Sequence, residues 1–201
     1  MSIQAVYFDL GGVILRTEDK SPRTKLAERF GLDYAGIEQI VFESDSGRRA
    51  STGAISEARH WRNVAQALGR PEDEWEQLRD QFFGGDRLDM ELLAFLRSLR
   101  PSVKVGLISN AWDGMRPWIG AHQFDDVFDH MTISAEIGIT KPQSGIYRHA
   151  LEQLGVARPG EAAFFDDLPE NVRGAQAAGM QGFLFKDTQG ATADIRTLIA
   201  K

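Results

Sequence analysis

The stretch Val6-Tyr7-Phe8-Asp9-Leu10-Gly11-Gly12-Val13-Ile14-Leu15 decides how the rest of the chain is read. Bulky β-prone residues lead into a carboxylate, and two glycines follow before the apolar run resumes. The pattern predicts a buried strand whose end presents Asp9. Gly11 and Gly12 let the backbone turn tightly, or lie against a ligand where a side chain would obstruct it. Taken alone, the same residues also fit a strand closed by a turn-forming Asp-x-Gly, so residues later in the chain must decide between the two.

Working outward, the residues from Arg16 to about Asp86 show no strand pattern, only charged segments with helical spacing and glycine or proline punctuation. This reads as a helical insertion. Helices are expected from Pro22 to Phe30, from Ala35 to Phe42, and from an N-capping Ser56 to Leu68. Another should begin at Pro71, where Glu72, Asp73 and Glu74 place negative charge in the first turn. Trp61 and Trp75 are expected in the core of this insertion, and Gly84-Gly85-Asp86 marks the return.

Beyond the return, helix and strand alternate. Met90–Leu99 is helical in its spacing, Val103–Ile108 is a β-branched run ending at Ser109-Asn110, and a weaker strand covers Met131–Ser134. Ile146–Leu154 is a helix, Ala162–Phe165 a small apolar strand ending at Asp166-Asp167, Glu170–Ala178 a helix and Gly182–Phe185 a strand. The fold class is therefore α/β: a Rossmann-like parallel sheet with helices on both faces, plus a small helical cap inserted after the first strand. Residues 1–15 and 87–201 form the core in this reading, and 16–86 the cap.

Composition narrows the function classes. The 201 residues are 42% hydrophobic and 26% charged, enough for one substantial core, and the formal net charge is −6. That charge, with arginines scattered along the chain, argues against a nucleic-acid partner. There is no cysteine, hence no disulfide framework, thiolate nucleophile or thiolate metal site. No apolar run approaches membrane-spanning length, and the first strand begins too early for a signal peptide ahead of it, so a cytoplasmic protein is expected.

Asp9, Ser109-Asn110 and Asp166-Asp167 each fall just beyond the carboxyl end of an apolar strand, the edge along which open parallel sheets bind ligands. Any one of them also fits a turn or a helix N-cap. As a set, Asp9-Leu10-Gly11-Gly12-Val13, Leu107-Ile108-Ser109-Asn110, Lys141-Pro142 and Phe164-Phe165-Asp166-Asp167 with Asn171 resemble the four ordered motifs of the haloacid dehalogenase-like superfamily. Asn110-Ala111-Trp112 and the paired aspartates are most similar to the phosphatase domain of soluble epoxide hydrolases and to sugar-1-phosphate phosphatases.

The resemblance implies a magnesium-dependent phosphatase acting on a small phosphorylated metabolite, a sugar phosphate being one option. Asp9 would be the nucleophile and form an aspartyl phosphate. Asp9, Asp167, the Gly11 carbonyl and Asp166 would hold Mg²⁺, which takes hard oxygen ligands. Lys141 would bridge Asp9 and a phosphate oxygen as a compact charge. Ser109 and Asn110 would bind the phosphate, and Asn171 would orient Asp166 or a metal-bound water.

One departure has a chemical consequence. Most phosphatases of this superfamily carry a second aspartate two residues after the nucleophile, where this chain has Gly11. A glycine still offers its carbonyl, but the general acid is gone, so slower turnover biased toward leaving groups that need little protonation is expected. The alternatives are a metal-independent 2-haloacid dehalogenase, which also lacks that aspartate, and a catalytically weak binding protein of the same fold. Asp166-Asp167 argues against the former, since they would repel a carboxylate substrate without a cation.

In the insertion, Arg48, Arg49, His60 and Arg62 are candidates to contact an anion or a sugar, although charged residues on such helices commonly form a solvated face. Trp112 and Trp118 would line the mouth of the pocket or cover the core. His122, His130 and His149 show no metal-ligand spacing.

Overall fold

Strand β1 (Ala5–Phe8) carries the opening motif through the centre of a five-stranded parallel sheet, with all four of its side chains buried. A computed structural model describes residues 3–200. After β1 come β2 (Leu15–Thr17) and five helices: α1 (Ser21–Arg29), α2 (Tyr34–Glu38), α3 (Asp45–Ser51), α4 (Glu57–Ala67) and α5 (Trp75–Phe83). Next are β3 (Asp86–Leu88), α6 (Met90–Leu99), β4 (Lys104–Ser109), α7 (Met115–Ala121), β5 (His130–Ile133) and α8 (Ser134–Ile137). The chain ends with α9 (Ser144–Gln153), β6 (Ala162–Asp166), α10 (Pro169–Ala177), β7 (Gln181–Leu184) and α11 (Thr188–Ile199).

The sheet order is β5-β4-β1-β6-β7. Because β1 sits between β4 and β6, with Phe8 opposite both Leu107 and Phe165, the residues following these three strands emerge side by side at one edge. The sheet buries both faces, as parallel sheets do. On one side Val6, Phe8, Val105, Leu107 and Phe165 pack against Leu92, Leu93 and Leu96 of α6 and Ile195 of α11. On the other, Tyr7, Ile108 and Phe164 pack against Ile146, Tyr147, Ala150 and Leu151 of α9 and Ala175 of α10. Phe8, Phe165 and Phe183 stack across three adjacent strands, with ring centroids 4.8 and 5.0 Å apart, which stiffens the region below the polar edge.

Helices α1 to α5 enclose a separate cluster that includes Leu26, Ile37, Val41, Trp61, Val64 and Phe82. Trp61 is fully buried there as expected, whereas Trp75, expected in the same core, is only partly buried and packs against the cluster's edge. Ser56 caps α4 by accepting from Arg59 N at 3.2 Å. Trp112, in the loop after β4, also joins this cluster and ties it to the sheet edge.

Three local expectations are corrected. The insertion is not free of strands: Leu15–Thr17 and Asp86–Leu88 pair antiparallel where the chain leaves and returns. Each is three residues long and carries arginine, threonine or aspartate, so no alternation marks it in the sequence, and the pairing is entirely long-range. The helix expected over Ala35–Phe42 stops at Glu38 and widens into a π-helical turn over Gln39–Glu43. Gly47 of α3 presses on that turn, since a β-carbon there would stand 2.7 Å from the Val41 carbonyl oxygen and 2.9 Å from that of Phe42. Helices α7 and α11 fall where no helix is expected; Pro117 and Gly120 obscure the first, and Gly190 with its small polar neighbours the second. Among the described residues, no helix is long and apolar enough to cross a membrane.

Candidate active site

Asp9 follows the last residue of β1, and its backbone N–H still donates to Phe165 O at 2.9 Å, so the sheet fixes it. Its Oδ1 accepts from Leu10 N at 2.7 Å and lies 2.8 Å from Lys141 Nζ. Among the described residues, no protein donor meets the other carboxylate oxygen of Asp9. Asp9 is only 7% exposed, at the floor of a cleft of about 560 Å³.

Lys141 enters from the loop after α8. Its ammonium, buried at 4% exposure, also bonds Asp166 Oδ2 at 2.7 Å and sits 5.5 Å from the Phe164 ring centroid. The side-chain amide of Asn110 holds this loop in place: its Nδ2 donates to Lys141 O at 3.0 Å, and Lys141 N donates to its Oδ1 at 2.7 Å. The two strand-end residues of β4 therefore divide. Asn110 lines the cleft and clamps the lysine backbone, while Ser109 is buried at the strand's last position and does not line the cleft.

Asp166 ends β6, fully buried. It accepts from Leu168 N at 2.9 Å and from Asn171 Nδ2 at 3.0 and 3.1 Å, in addition to the lysine. Asn171 is thus bonded to Asp166, one of the two partners the resemblance implies for it. Asn171 is itself held by Tyr147, whose hydroxyl donates to its main-chain oxygen at 2.8 Å. Asp167 follows, half-buried, with its carboxylate against Gly12. A β-carbon at Gly12 would stand 2.1 Å from Asp167 Oδ2, and its φ of +75° favours glycine as well. Gly11 is different: it lines the cleft, and a β-carbon there would meet nothing within 4 Å.

The acid cluster is short of positive charge. Asp9, Asp166 and Asp167 each offer a carboxylate oxygen, all within 4.8 Å of one another, and Lys141 is the ammonium among them. Burial pushes the Asp9 carboxyl up to about 6; Lys141 pulls it back down and Asp166 raises it further. Burial and the neighbouring Asp166 raise Asp167 too. Hard oxygen donors, a close-approach glycine and uncompensated negative charge make a site that fits a small divalent cation.

Residues of the helical insertion form the facing wall. Phe42, Arg48, Ser51 and Thr52 line the cleft opposite the sheet edge, with Thr140 and Leu168 beside them. Of the four candidates named from sequence in the insertion, only Arg48 lines it. Arg49 faces Asp45 at 3.9 Å and Arg62 lies over the Trp75 ring at 5.8 Å. His60 is fully buried rather than surface-facing: its ring lies 4.6 Å from Trp112, and Nδ1 pairs with Ser46 Oγ at 2.9 Å. The spacing His60, Trp61, Val64, Ala65 marks the buried stripe of α4, a signal available in the sequence. Trp118 packs against the core with the His122 ring tilted over it at 3.9 Å, and His130 and His149 lie 6.2 Å apart. Phe42, Ser51, Thr52, Thr140 and Leu168 escape a motif-based reading, because which side of a turn faces a cleft depends on long-range packing.

A model of the haloacid dehalogenase-like hydrolase family matches residues 3–179. Among characterised relatives, the sesquiterpene phosphatase astK of Aspergillus oryzae is 28% identical, the alignment covering 98% of this chain and 97% of that protein. The fold is similar to a predicted HAD-like hydrolase of Porphyromonas gingivalis, with a TM-score of 0.81, 22% identity and full coverage of both chains. It is also similar to a HAD family enzyme of Bacteroides thetaiotaomicron solved with magnesium and inorganic phosphate, with a TM-score of 0.78, 23% identity and 92% and 95% of the two chains covered.

Proposed function

The chain belongs to the haloacid dehalogenase-like hydrolase family, and from that premise we propose that it is a magnesium-dependent phosphatase that cleaves a small phosphorylated metabolite through an aspartyl phosphate on Asp9. The observation that carries this reading is the pairing of Asp9 with Lys141 beside two further carboxylates, at the floor of a cleft. The phosphatase names of relatives such as the Aspergillus protein support it.

In this reading the free carboxylate oxygen of Asp9 attacks phosphorus in line with the ester oxygen; the O–P bond to Asp9 forms as the bond to the leaving group breaks. Lys141 holds the other Asp9 oxygen, fixing the direction of attack and offsetting charge that develops on the phosphoryl oxygens. Water then attacks phosphorus, releasing inorganic phosphate and restoring Asp9. Asp9, Asp167, the main-chain carbonyl of Gly11 and Asp166 are the residues that would hold Mg²⁺, and the ion would supply charge neutralisation for the incoming phosphate. Asp166, bonded to Lys141, Leu168 and Asn171, keeps the ammonium in position. Asn110 does the same through the lysine backbone.

Residues 16–86 act as the cap and 1–15 with 87–201 as the core, so that the cap closes the cleft and excludes bulk water. A cysteine-free chain suits a cytoplasmic site of action.

The test is phosphate release from a panel of phosphorylated metabolites with and without Mg²⁺, for the wild type and Asp9→Asn. Magnesium-dependent release that Asp9→Asn abolishes is expected. Metal-independent halide release from a 2-haloacid would replace this reading with the dehalogenase one.

A further inference from the structure

Resting on the phosphatase reading above, we propose that this cleft selects phosphate esters with an apolar leaving group, gripped between Phe42 and Leu168, over polyhydroxylated ones. Both side chains are 45% exposed, among the few large apolar groups the described residues leave in solvent, and both line the cleft that holds Asp9. They come from opposite walls. Phe42 belongs to the π-helical turn Gln39–Glu43, and Leu168 directly follows Asp167.

Phe42 is braced from behind. Its ring is 5.4 Å from Phe82 in an edge contact and 6.1 Å from Trp112 in a stacked one. The ring therefore cannot retreat into the cluster, and its outer surface stays on the cleft. Leu168 is fixed by its own backbone, since its N–H is bonded to Asp166 Oδ1 and Pro169 follows it. An apolar group between these two side chains would remove all three surfaces from water, which is the favourable term in such pockets.

Several donors of the same cleft are already engaged within the protein. Ser51 Oγ donates to Gly47 O at 3.1 Å and Thr52 Oγ1 to Arg49 O at 3.1 Å, so each hydroxyl's one proton is committed within α3 and its first flanking residue. Arg48 donates to the Glu43 carbonyl. The Asn110 amide bonds the Lys141 backbone and the Asn171 amide bonds Asp166. A sugar needs donors and acceptors for every hydroxyl it buries, and leaving them unpaired is costly. Of the cleft's side-chain donors, Thr140 and the remaining N–H groups of Arg48 and Asn110 are left to meet the sugar's acceptor oxygens.

The experiment compares two esters of primary alcohols, n-hexyl phosphate and glucose 6-phosphate, by steady-state phosphate release with Mg²⁺. It pairs this with calorimetric binding of n-hexylphosphonate, a non-hydrolysable analogue. The wild type is expected to favour the hexyl ester at least about tenfold in kcat/KM, chiefly through KM. Phe42→Asn and Leu168→Asn should each lower that preference about tenfold and weaken hexylphosphonate binding by a similar factor. Equal or better turnover of glucose 6-phosphate would overturn the inference and leave the phosphatase reading intact. So would variants that weaken both esters alike. Failure to release phosphate from any ester would overturn the phosphatase reading itself, and this inference with it.

Discussion

Gly12 lies so close to Asp167 that a β-carbon on the glycine would overlap the carboxylate, 2.1 Å from Oδ2 and 2.5 Å from Cγ. The partner in this clash is the side chain of Asp167, the residue directly after β6, and the φ of +75° at Gly12 favours glycine for the backbone itself. If the proposed Mg²⁺ site holds, Gly12→Ala should displace Asp167, weaken Mg²⁺ binding about 10–100-fold and reduce turnover in step. The left-handed backbone adds a stability loss of about 1–2 kcal/mol. Calorimetric titration with Mg²⁺ and thermal melts read the two effects separately; unchanged metal affinity would detach Asp167 from the cation site.

The preceding glycine should behave in the opposite way. Gly11 faces the cleft, with nothing within 4 Å of the place a β-carbon would take, so Gly11→Asp has room and no positive-φ penalty. It would place a carboxyl group in the cleft, and a general acid typically contributes 10²–10⁴-fold. Turnover of alkyl phosphates should rise by at least about tenfold, while acetyl phosphate, whose leaving group needs no proton, changes little. An unchanged alkyl-to-acetyl ratio would show that the absent acid does not limit this enzyme.

These contrasts separate the residues legible in the sequence from those that are not. Asp9, Asp166 and Asp167 are legible because each falls at the end of an apolar strand, and parallel pairing then brings strand ends together, whereas Lys141 and Asn171 are legible only through the motif resemblance. The role of Asn110 as a clamp on the Lys141 backbone is hidden, since it depends on where a loop far along the chain returns. The β2–β3 pair is hidden for a related reason: three polar-containing residues carry no periodicity until their partner is known. Phe42 reads as helical by its spacing, whereas it lies in the π-helical turn Gln39–Glu43 and lines the cleft.

Lys141 is the positive group shared by two buried carboxylates, at 2.8 Å from Asp9 and 2.7 Å from Asp166. Lys141→Met keeps the stem and removes the charge, leaving both acids to repel one another. Turnover should fall about 10²–10³-fold, and the metal-free protein should lose about 3 kcal/mol of stability. Lys141→Arg should not rescue activity, because a planar fork cannot occupy the place of a compact ammonium between two carboxylates. Phosphate release and melts in chelator would check this; a fully active Lys141→Met would remove the lysine from the mechanism.

His60 gives the fold a pH dependence separate from the chemistry. Burial pushes its imidazole down to about 4, with Nδ1 on Ser46 and Nε2 left without a hydrogen-bond partner. In the unfolded chain the same ring takes up a proton near 6.5. Between these values the unfolded state binds the additional proton, so stability falls as pH drops from about 6.5 toward 4, by an amount on the order of 2 kcal/mol. Above about 6.5 the ring is neutral in both states and contributes no slope. Buried Asp9, whose carboxyl is raised to about 6, acts with the opposite sign over part of this range, because protonation relieves its burial. The contribution of His60 must therefore be read as a difference: denaturant unfolding of wild type and His60→Gln across pH 4 to 7, with the glutamine keeping a polar group near Ser46. The variant should show a shallower acid limb and converge with a constant offset above neutrality. Parallel curves throughout the range would mean that the ring's burial does not govern acid stability.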